Sequence, residues 1–448
     1  MRTLQKAIFL TFFLWLAAVG LSFAQVKVWS VDDCIQYALE KNIQVQKAKV
    51  SNDINSINLQ YARSSRYPSV SGSVRQNFDW SNKLNTTTGS TVFREGDGTN
   101  LSVSSGMTVY NAGKVRNSVK RAETENEADK YNTEVIKESV SLNVLNAYLQ
   151  VLYAEEQVKN SEDQISSLQD QLTRAEERLK LGAIAKSDYL QVKSQLATEK
   201  QTLASSESQL AINRITLMQL MELPVSDDFT IEHPNLDSLI NQRLLPDPKE
   251  VYQIALGIKP EVKNAELNKK SADLAVSIAK AGYFPDITLN AGVSTLYSSN
   301  QTGSSFGYQI NNNISPSVGL TASIPVSLNR QVRTNVDIAR KNTENASLDE
   351  LNTKDVLRKA IEQACQNVIS AQTEYDASLQ AYNAVKESYD VANEKYAQGL
   401  MSSVDFLIQK TSYISAESTL LQSKYRLIFS YKVLDFYSGQ SLSFKNVK

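Results

Sequence analysis

The sequence predicts a mainly α-helical fold with a transmembrane β part, laid down as two tandem repeats. Three observations carry that expectation. Long proline-free stretches place apolar residues at spacings of three and four. Four stretches of about ten residues alternate apolar with polar side chains, the length a tilted strand needs to cross a bilayer. At the fixed offset that carries Ala38 onto Ala255, the sequence lines up with itself without a gap.

The bulk numbers narrow the function classes. A net charge of -1 over 448 residues gives no field that would draw nucleic acid. Hydrophobic residues at 42% and charged residues at 21% make a folded balance rather than a disordered one. Only 16 glycines and 9 prolines punctuate the chain, so its elements run long. There are 2 cysteines, Cys34 and Cys365, no CxxC and 1 histidine, His233. A His/Cys metal site needs three or four ligands, so no metal and no cofactor is expected. Both cysteines sit among apolar helical positions and read as buried thiols, with a disulfide as the alternative.

Taken in order, residues 1–24 read as a secretory signal. Arg2 and Lys6 supply the positive end, Ala7 to Leu21 is almost wholly apolar, and Ser22-Phe23-Ala24 offers small residues to a signal peptidase. The mature chain is expected to begin at Gln25, without lipid, because no cysteine follows the apolar run. An uncleaved anchor is the alternative. No later segment has the ~20 apolar residues of a spanning helix, so membrane insertion must use strands.

The first repeat covers 25–224, a joint 225–249, and the second repeat 250–448. At the common offset Pro68 falls on Pro285, Val115-Arg116 on Val332-Arg333, Val119 on Val336, Gly182 on Gly399 and Asp188 on Asp405. The structural punctuation keeps its spacing, which two copies of one unit explain most simply. Pro224, Pro234, Pro246 and Pro248 mark the joint, where His233 reads as a surface residue.

Each repeat contains two strands. The first, about 68–80, sets Val70, Gly72, Val74, Phe78 and Trp80 against Ser69, Ser71, Ser73, Arg75, Asn77 and Asp79. The second, about 100–112, opposes Leu101, Val103, Met107 and Val109 to Ser102, Ser104 and Thr108. The third, about 285–297, and the fourth, about 315–328, alternate in the same way, with Leu289, Val293, Val318 and Leu320 on their apolar faces. Phe78, Trp80 and Tyr297 suit the headgroup level. The intervening Ser81–Asn100 and Ser298–Ile314, rich in Ser, Thr, Asn and Gly, read as mobile external loops.

Each repeat closes with a helical hairpin, over 114–222 and 331–437. The long arms, Lys114 to Leu181 and Gln331 to Gln398, reach roughly 100 Å at ~1.5 Å per residue. Arms of that length need coiled-coil partners along their length. Four strands cannot close a membrane barrel, and lipid tolerates no open sheet edge. Subunits must therefore share one barrel, and the helices below it one tube.

The hairpin turns are the most distinctive passages. One reads Glu177-Arg178-Leu179-Lys180-Leu181-Gly182, then Asp188-Tyr189-Leu190. The other reads Glu394-Lys395-Tyr396-Ala397-Gln398-Gly399, then Ser402 and Asp405-Phe406-Leu407. With Tyr67-Pro68-Ser69-Val70, Phe284-Pro285-Asp286-Ile287 and Ala38-Leu39…Asn42, they make the chain resemble the TolC-like outer-membrane efflux proteins over nearly its whole mature length.

The resemblance implies a homotrimer with a twelve-stranded barrel in outer-membrane lipid and a twelve-helix periplasmic tunnel. It implies an efflux or type I secretion channel working with a periplasmic adaptor (a membrane fusion protein) and an inner-membrane pump. It puts Arg178, Leu179, Gly182, Lys395 and Gly399 at adaptor-docking tips. It puts Asp405 and Tyr396, with Asp188 as the first-repeat counterpart, at the periplasmic mouth. The chain departs from the pattern at Met401 and Ile408, where some members carry an arginine and a second acid.

Each of these residues also has a plainer reading. Gly182 and Gly399 suit a turn at positive φ, and Arg178 and Lys395 suit a helix C-terminus. Asp188 and Asp405 suit a helix start, Asp405 with Ser402 at capping-box spacing. A periplasmic coiled-coil adaptor is the alternative function; it would carry one hairpin between β domains rather than two behind ten-residue strands. An enzyme is not expected, since no nucleophile–base pair, phosphate loop or metal cluster occurs and one histidine leaves little room for acid–base work.

Overall fold

A computed structural model describes residues 27–84, 89–226, 228–236, 240, 246–301, 303–326 and 330–444. The signal expected over 1–24 and part of the joint lie outside them. In chain order the elements are β1 (Val28–Trp29), α1 (Val31–Lys41), α2 (Ile43–Ser64), β2 (Ser69–Leu84), β3 (Thr91–Tyr110), α3 (Lys114–Lys180) and α4 (Lys186–Leu220). There follow β4 (Thr230–Ile231), α5 (Pro248–Ile258), α6 (Pro260–Lys280), β5 (Asp286–Ser298), α7 (Phe306–Asn312), β6 (Ser315–Ser323), α8 (Arg330–Ala397) and α9 (Ser403–Tyr437). Two compact units result. One joins the chain up to Gln46 with Lys137–Gly257 and everything from Lys359 onward; the other joins Lys47–Ile136 with Ile258–Arg358.

The second unit carries a four-stranded antiparallel sheet in the order β2-β3-β5-β6. Its register collects the alternation onto two faces. Val74, Leu101 and Thr295 align on one face, as do Gly72, Val103 and Val293. On the other face Ser71 meets Ser104 at 3.0 Å and Ser73 meets Ser102 at 2.7 Å. Val70, Val74, Val318 and Leu320 stand uncovered on the apolar face.

The structure corrects three expectations. The loop expected over Ser81–Asn100 is largely strand, because the β2–β3 ladder runs on to Leu84↔Thr91. A cross-strand ladder needs paired backbone, not apolar side chains, and polar ties such as Gln76 with Asp97 (3.3 Å) and with Thr99 support it. The loop expected over Ser298–Ile314 contains α7, started by Ser305, whose hydroxyl accepts from Tyr308 N–H. The strand expected to reach 328 ends at Ser323. Pro325 has no N–H to give a ladder and restricts Ile324 before it; 327 and 328 lie outside the described residues.

The first unit is helical. Ile165, Leu168 and Leu196 bury against one another with Leu172 and Leu203 beside them, zipping α3 to α4. Tyr148, fully buried on α3, donates to the carbonyl of Glu232 at 2.6 Å, which ties α3 to the chain just after β4. The parallel β1–β4 pair is too short for periodicity to announce. α1 begins with a reciprocal Ser30–Asp33 capping box and ends at Asn42, whose Nδ2 donates to Leu220 C=O at 2.9 Å. Cys34 and Cys365 are buried free thiols, and burial pushes Cys34 up to about 12. Among the described residues no helix is long and apolar enough to cross a membrane.

Candidate functional site

Both long arms stop in the same way. Gly182 N–H donates to Leu179 C=O at 3.0 Å and Ala183 N–H to Arg178 C=O at 2.8 Å. Gly399 N–H donates to Tyr396 C=O at 3.1 Å and Leu400 N–H to Lys395 C=O at 2.9 Å. This is the paired-bond helix stop that wants a left-handed residue, and the glycines supply φ of 68° and 76°. The turns expose Leu181 (82%) and Leu400 (73%), an apolar presentation that water alone does not reward. Leu179, expected at the docking tip, is half-buried, while Lys395 is exposed.

The two hairpins are tied at these turns by Arg178. Its guanidinium reaches across to the carbonyls of Tyr396 and Ala397, both at 3.5 Å. It therefore sits at the C-terminal dipole of α8 rather than serving only its own helix. Tyr396 is in the same cluster. Burial raises its hydroxyl pKa, Arg178 and Arg174 lower it, and Asp188 raises it, so all three charges lie within electrostatic reach. Of the expected residues, Arg178, Tyr396, Asp188 and Gly399 come together. Arg174 belongs with them, a cation one turn earlier on α3 that the sequence pattern does not single out.

The returning helices begin differently. α4 starts from Ala185, which offers no capping side chain, and Asp188 stands in its first turn. α9 starts from Ser402, whose hydroxyl accepts from Asp405 N–H at 3.1 Å and donates to Asp405 Oδ2 at 2.7 Å. Asp405 thus begins the helix and remains exposed. Behind it runs an aromatic column. Tyr396 stacks on Phe406 at 4.6 Å, Phe406 lies 5.8 Å from Tyr389, Tyr389 stacks on Tyr413 at 5.0 Å, and Tyr413 lies 5.8 Å from Tyr382.

Further up, Lys410 is 3% exposed and donates to Ser167 Oγ at 3.3 Å, facing a cavity of about 210 Å³ lined also by Gln164, Tyr389 and Glu417. Burial pulls Lys410 down to about 8, against the charge of Glu199, and burial raises Glu199 in turn. His233, as expected, is on the surface, with Nε2 3.1 Å from Glu155 Oε2.

Residues 34–222 and 251–440 match the family model of the outer membrane efflux protein. No curated protein matches the chain in sequence. Among solved structures, the chain superposes on CusC, described as undergoing transmembrane channel formation, with a TM-score of 0.78 at 20% identity, covering 92% of each chain. The CmeC outer membrane channel of Campylobacter jejuni gives 0.78 at 16% identity, covering 91% of this chain and 85% of that one. The outer membrane protein VceC of Vibrio cholerae gives 0.75 at 16% identity, covering 92% and 97%.

Proposed function

Since this chain belongs to the outer membrane efflux protein family, an outer-membrane channel family, we propose that three copies close one twelve-stranded barrel in the outer-membrane lipid over a twelve-helix periplasmic tunnel. The assembly passes exported compounds or proteins outward, in an efflux or type I secretion system with a periplasmic adaptor and an inner-membrane pump. The two exposed turns, with Arg178, Leu179, Gly182, Lys395 and Gly399, form the docking tips. Asp405, Tyr396 and Asp188 form the periplasmic mouth. The signal of residues 1–24 directs export and is removed.

One observation carries the reading. The sheet β2-β3-β5-β6 ends on two strands whose outer edges pair with nothing among the described residues, and one of its faces is apolar and uncovered. Backbone groups unpaired in lipid cost several kcal/mol each, on the order of the penalty for a buried polar group without a partner. Joining β6 of one copy to β2 of the next removes both edges. The exposed Leu181 and Leu400 support docking, because a partner that buries them gains the transfer free energy that water withholds. The adaptor alternative does not suit a chain of this family.

The test is mass and conduction together. Light scattering corrected for detergent should give a trimer, and planar-bilayer recording should give a channel. A monodisperse monomer that conducts ions would overturn the shared barrel.

A further inference from the structure

The outer rim of the sheet holds an element that neither the pore nor the hairpin turns use. β6 first pairs with β5 at Ser294↔Ser315, yet β5 continues to Ser298. α7 takes over that open edge. The Gln309 side chain accepts from Ser298 N–H at 2.9 Å and donates to Ser298 C=O at 3.2 Å, the two bonds a facing strand residue would make. Asn313 Nδ2 donates to Leu296 C=O at 2.7 Å, and Thr295 Oγ1 donates to Ile310 C=O at 2.7 Å. Gln309 is 2% exposed. α7 is thus a substitute strand built from side chains, held in place on β5. It leaves Phe306 and Tyr308 outside, with Phe306 against Tyr297 at 4.9 Å.

The neighbouring edge supplies an occupant. Strand direction alternates across the sheet, so β6 of one copy meets β2 of the next antiparallel. β6 has 9 residues and β2 has 16. Through the ladders Ser315, the first residue of β6, stands level with Ser294, Ser102 and Ser73, so β6 stops well short of the outer end of β2. The outer end of β2, from about Phe78, then lacks a strand beside it. There Phe78 and Trp80 stack at 6.4 Å, and both are exposed. α7 stands at the same outer end, with Asn313 and Ile314 between it and the first residue of β6.

We propose that α7 of one copy covers the outer end of β2 in the next, with Phe306 and Tyr308 set against Phe78 and Trp80 as an aromatic clasp across the subunit seam. The partner is a second copy of this chain, and the inference rests on the shared barrel proposed above. Aromatic pairs hold such a contact without needing the continuous backbone ladder that β6 is too short to provide.

Disulfide trapping in outer membranes tests it. Tyr308→Cys should be combined in turn with Phe78→Cys, Trp80→Cys and Asn82→Cys, then oxidised and run without reductant. The single variants serve as blanks, because Cys34 and Cys365 are buried. At least one pair should give covalent dimers and trimers that reductant dissolves. Tyr308→Ser, which introduces no reactive group, should lower the temperature at which the trimer falls apart in SDS. A chain that is trimeric by mass but gives no cross-link with any pair, and whose Tyr308→Trp fluorescence, read in a Trp80→Phe background, is quenched by brominated lipid, would put α7 against lipid and overturn the clasp while leaving the shared barrel standing. A monomeric chain would overturn both.

Discussion

Gly182 and Gly399 occupy equivalent stops, yet a side chain would be received differently at the two. A Cβ at Gly182 meets nothing within 4 Å, whereas one at Gly399 lies 3.5 Å from Arg178 Nη2. Both positions have positive φ, so any β-branched residue costs roughly 1–3 kcal/mol in backbone strain. At Gly399 the added side chain also comes into contact with the guanidinium that makes the bonds described between the two turns. Gly399→Val is therefore expected to depress export strongly while outer-membrane levels stay near normal. Immunoblotting of membranes alongside an export assay measures both, and normal export in the variant would refute the docking-tip assignment. The glycines are legible in the sequence because a helix stop has a local signature. The partners of Arg178 are not. Sequence near Arg178 points to its own helix end, and only folding brings the end of α8 beside it.

At the scale of elements, the two hairpins share a plan but not a filling. Tyr382, Tyr389 and Tyr396 recur at every seventh position of α8, and Phe406 and Tyr413 do so on α9. The repeat offset maps Tyr382, Tyr389 and Tyr396 onto Ile165, Leu172 and Leu179, so the first hairpin is zipped by aliphatics and the second by stacked rings. The helices and the strand faces are legible in the sequence, because each has its own period. The extension of β2 and β3 is not, since a polar hairpin and a polar loop share one composition. Nor is the burial of Lys410, a residue type that usually stays in water. Its surroundings give a pH test. Ser167, Gln164 and Asp163 face it from α3, Glu199 from α4, Tyr389 from α8, and Tyr413 and Glu417 from α9. Burial lowers Lys410 from 10.5 to about 8 in the fold. Between those values the unfolded chain holds more protons, so this residue adds stability as pH rises from about 8 toward 10.5. Glu199 is raised and works in the opposite sense, losing stability as pH rises through its folded value. The thermal stability of the native chain minus that of Lys410→Met should therefore climb across the alkaline window. Parallel curves for the two proteins would show that Lys410 is not held down by burial.

For the whole molecule, threefold assembly would turn single residues into rings, and Asp405 is where this has the clearest consequence. One copy shows an exposed carboxylate that, among the described residues, accepts from the Ser402 hydroxyl alone at the start of α9. That geometry satisfies a helix start and is consistent with no further role. Three such carboxylates converging on a narrow mouth would make a field that favours cations and holds multivalent ones. The two accounts separate because Asn keeps an oxygen for the Ser402 hydroxyl and discards the charge, whereas loss of the Ser402 cap itself would cost about 0.5–2 kcal/mol. Asp405→Asn should therefore fold and assemble normally. In planar bilayers it should show a weaker preference for cations over anions, and weaker block by multivalent cations added from the periplasmic side. The effect should shrink as salt rises, because exposed charges more than a Debye length apart, about 10 Å at 0.1 M, no longer act together. If three copies gather the Asp405 carboxylates, Arg178 bears on the same outcome indirectly, since it ties the second turn to the first through the Tyr396 and Ala397 carbonyls. Arg178→Lys, which keeps the charge but discards the planar fork that spans the Tyr396 and Ala397 carbonyls, should then weaken the cation preference while leaving Asp405 intact. Selectivity and block that stay unchanged in both variants would leave Asp405 as a helix start alone.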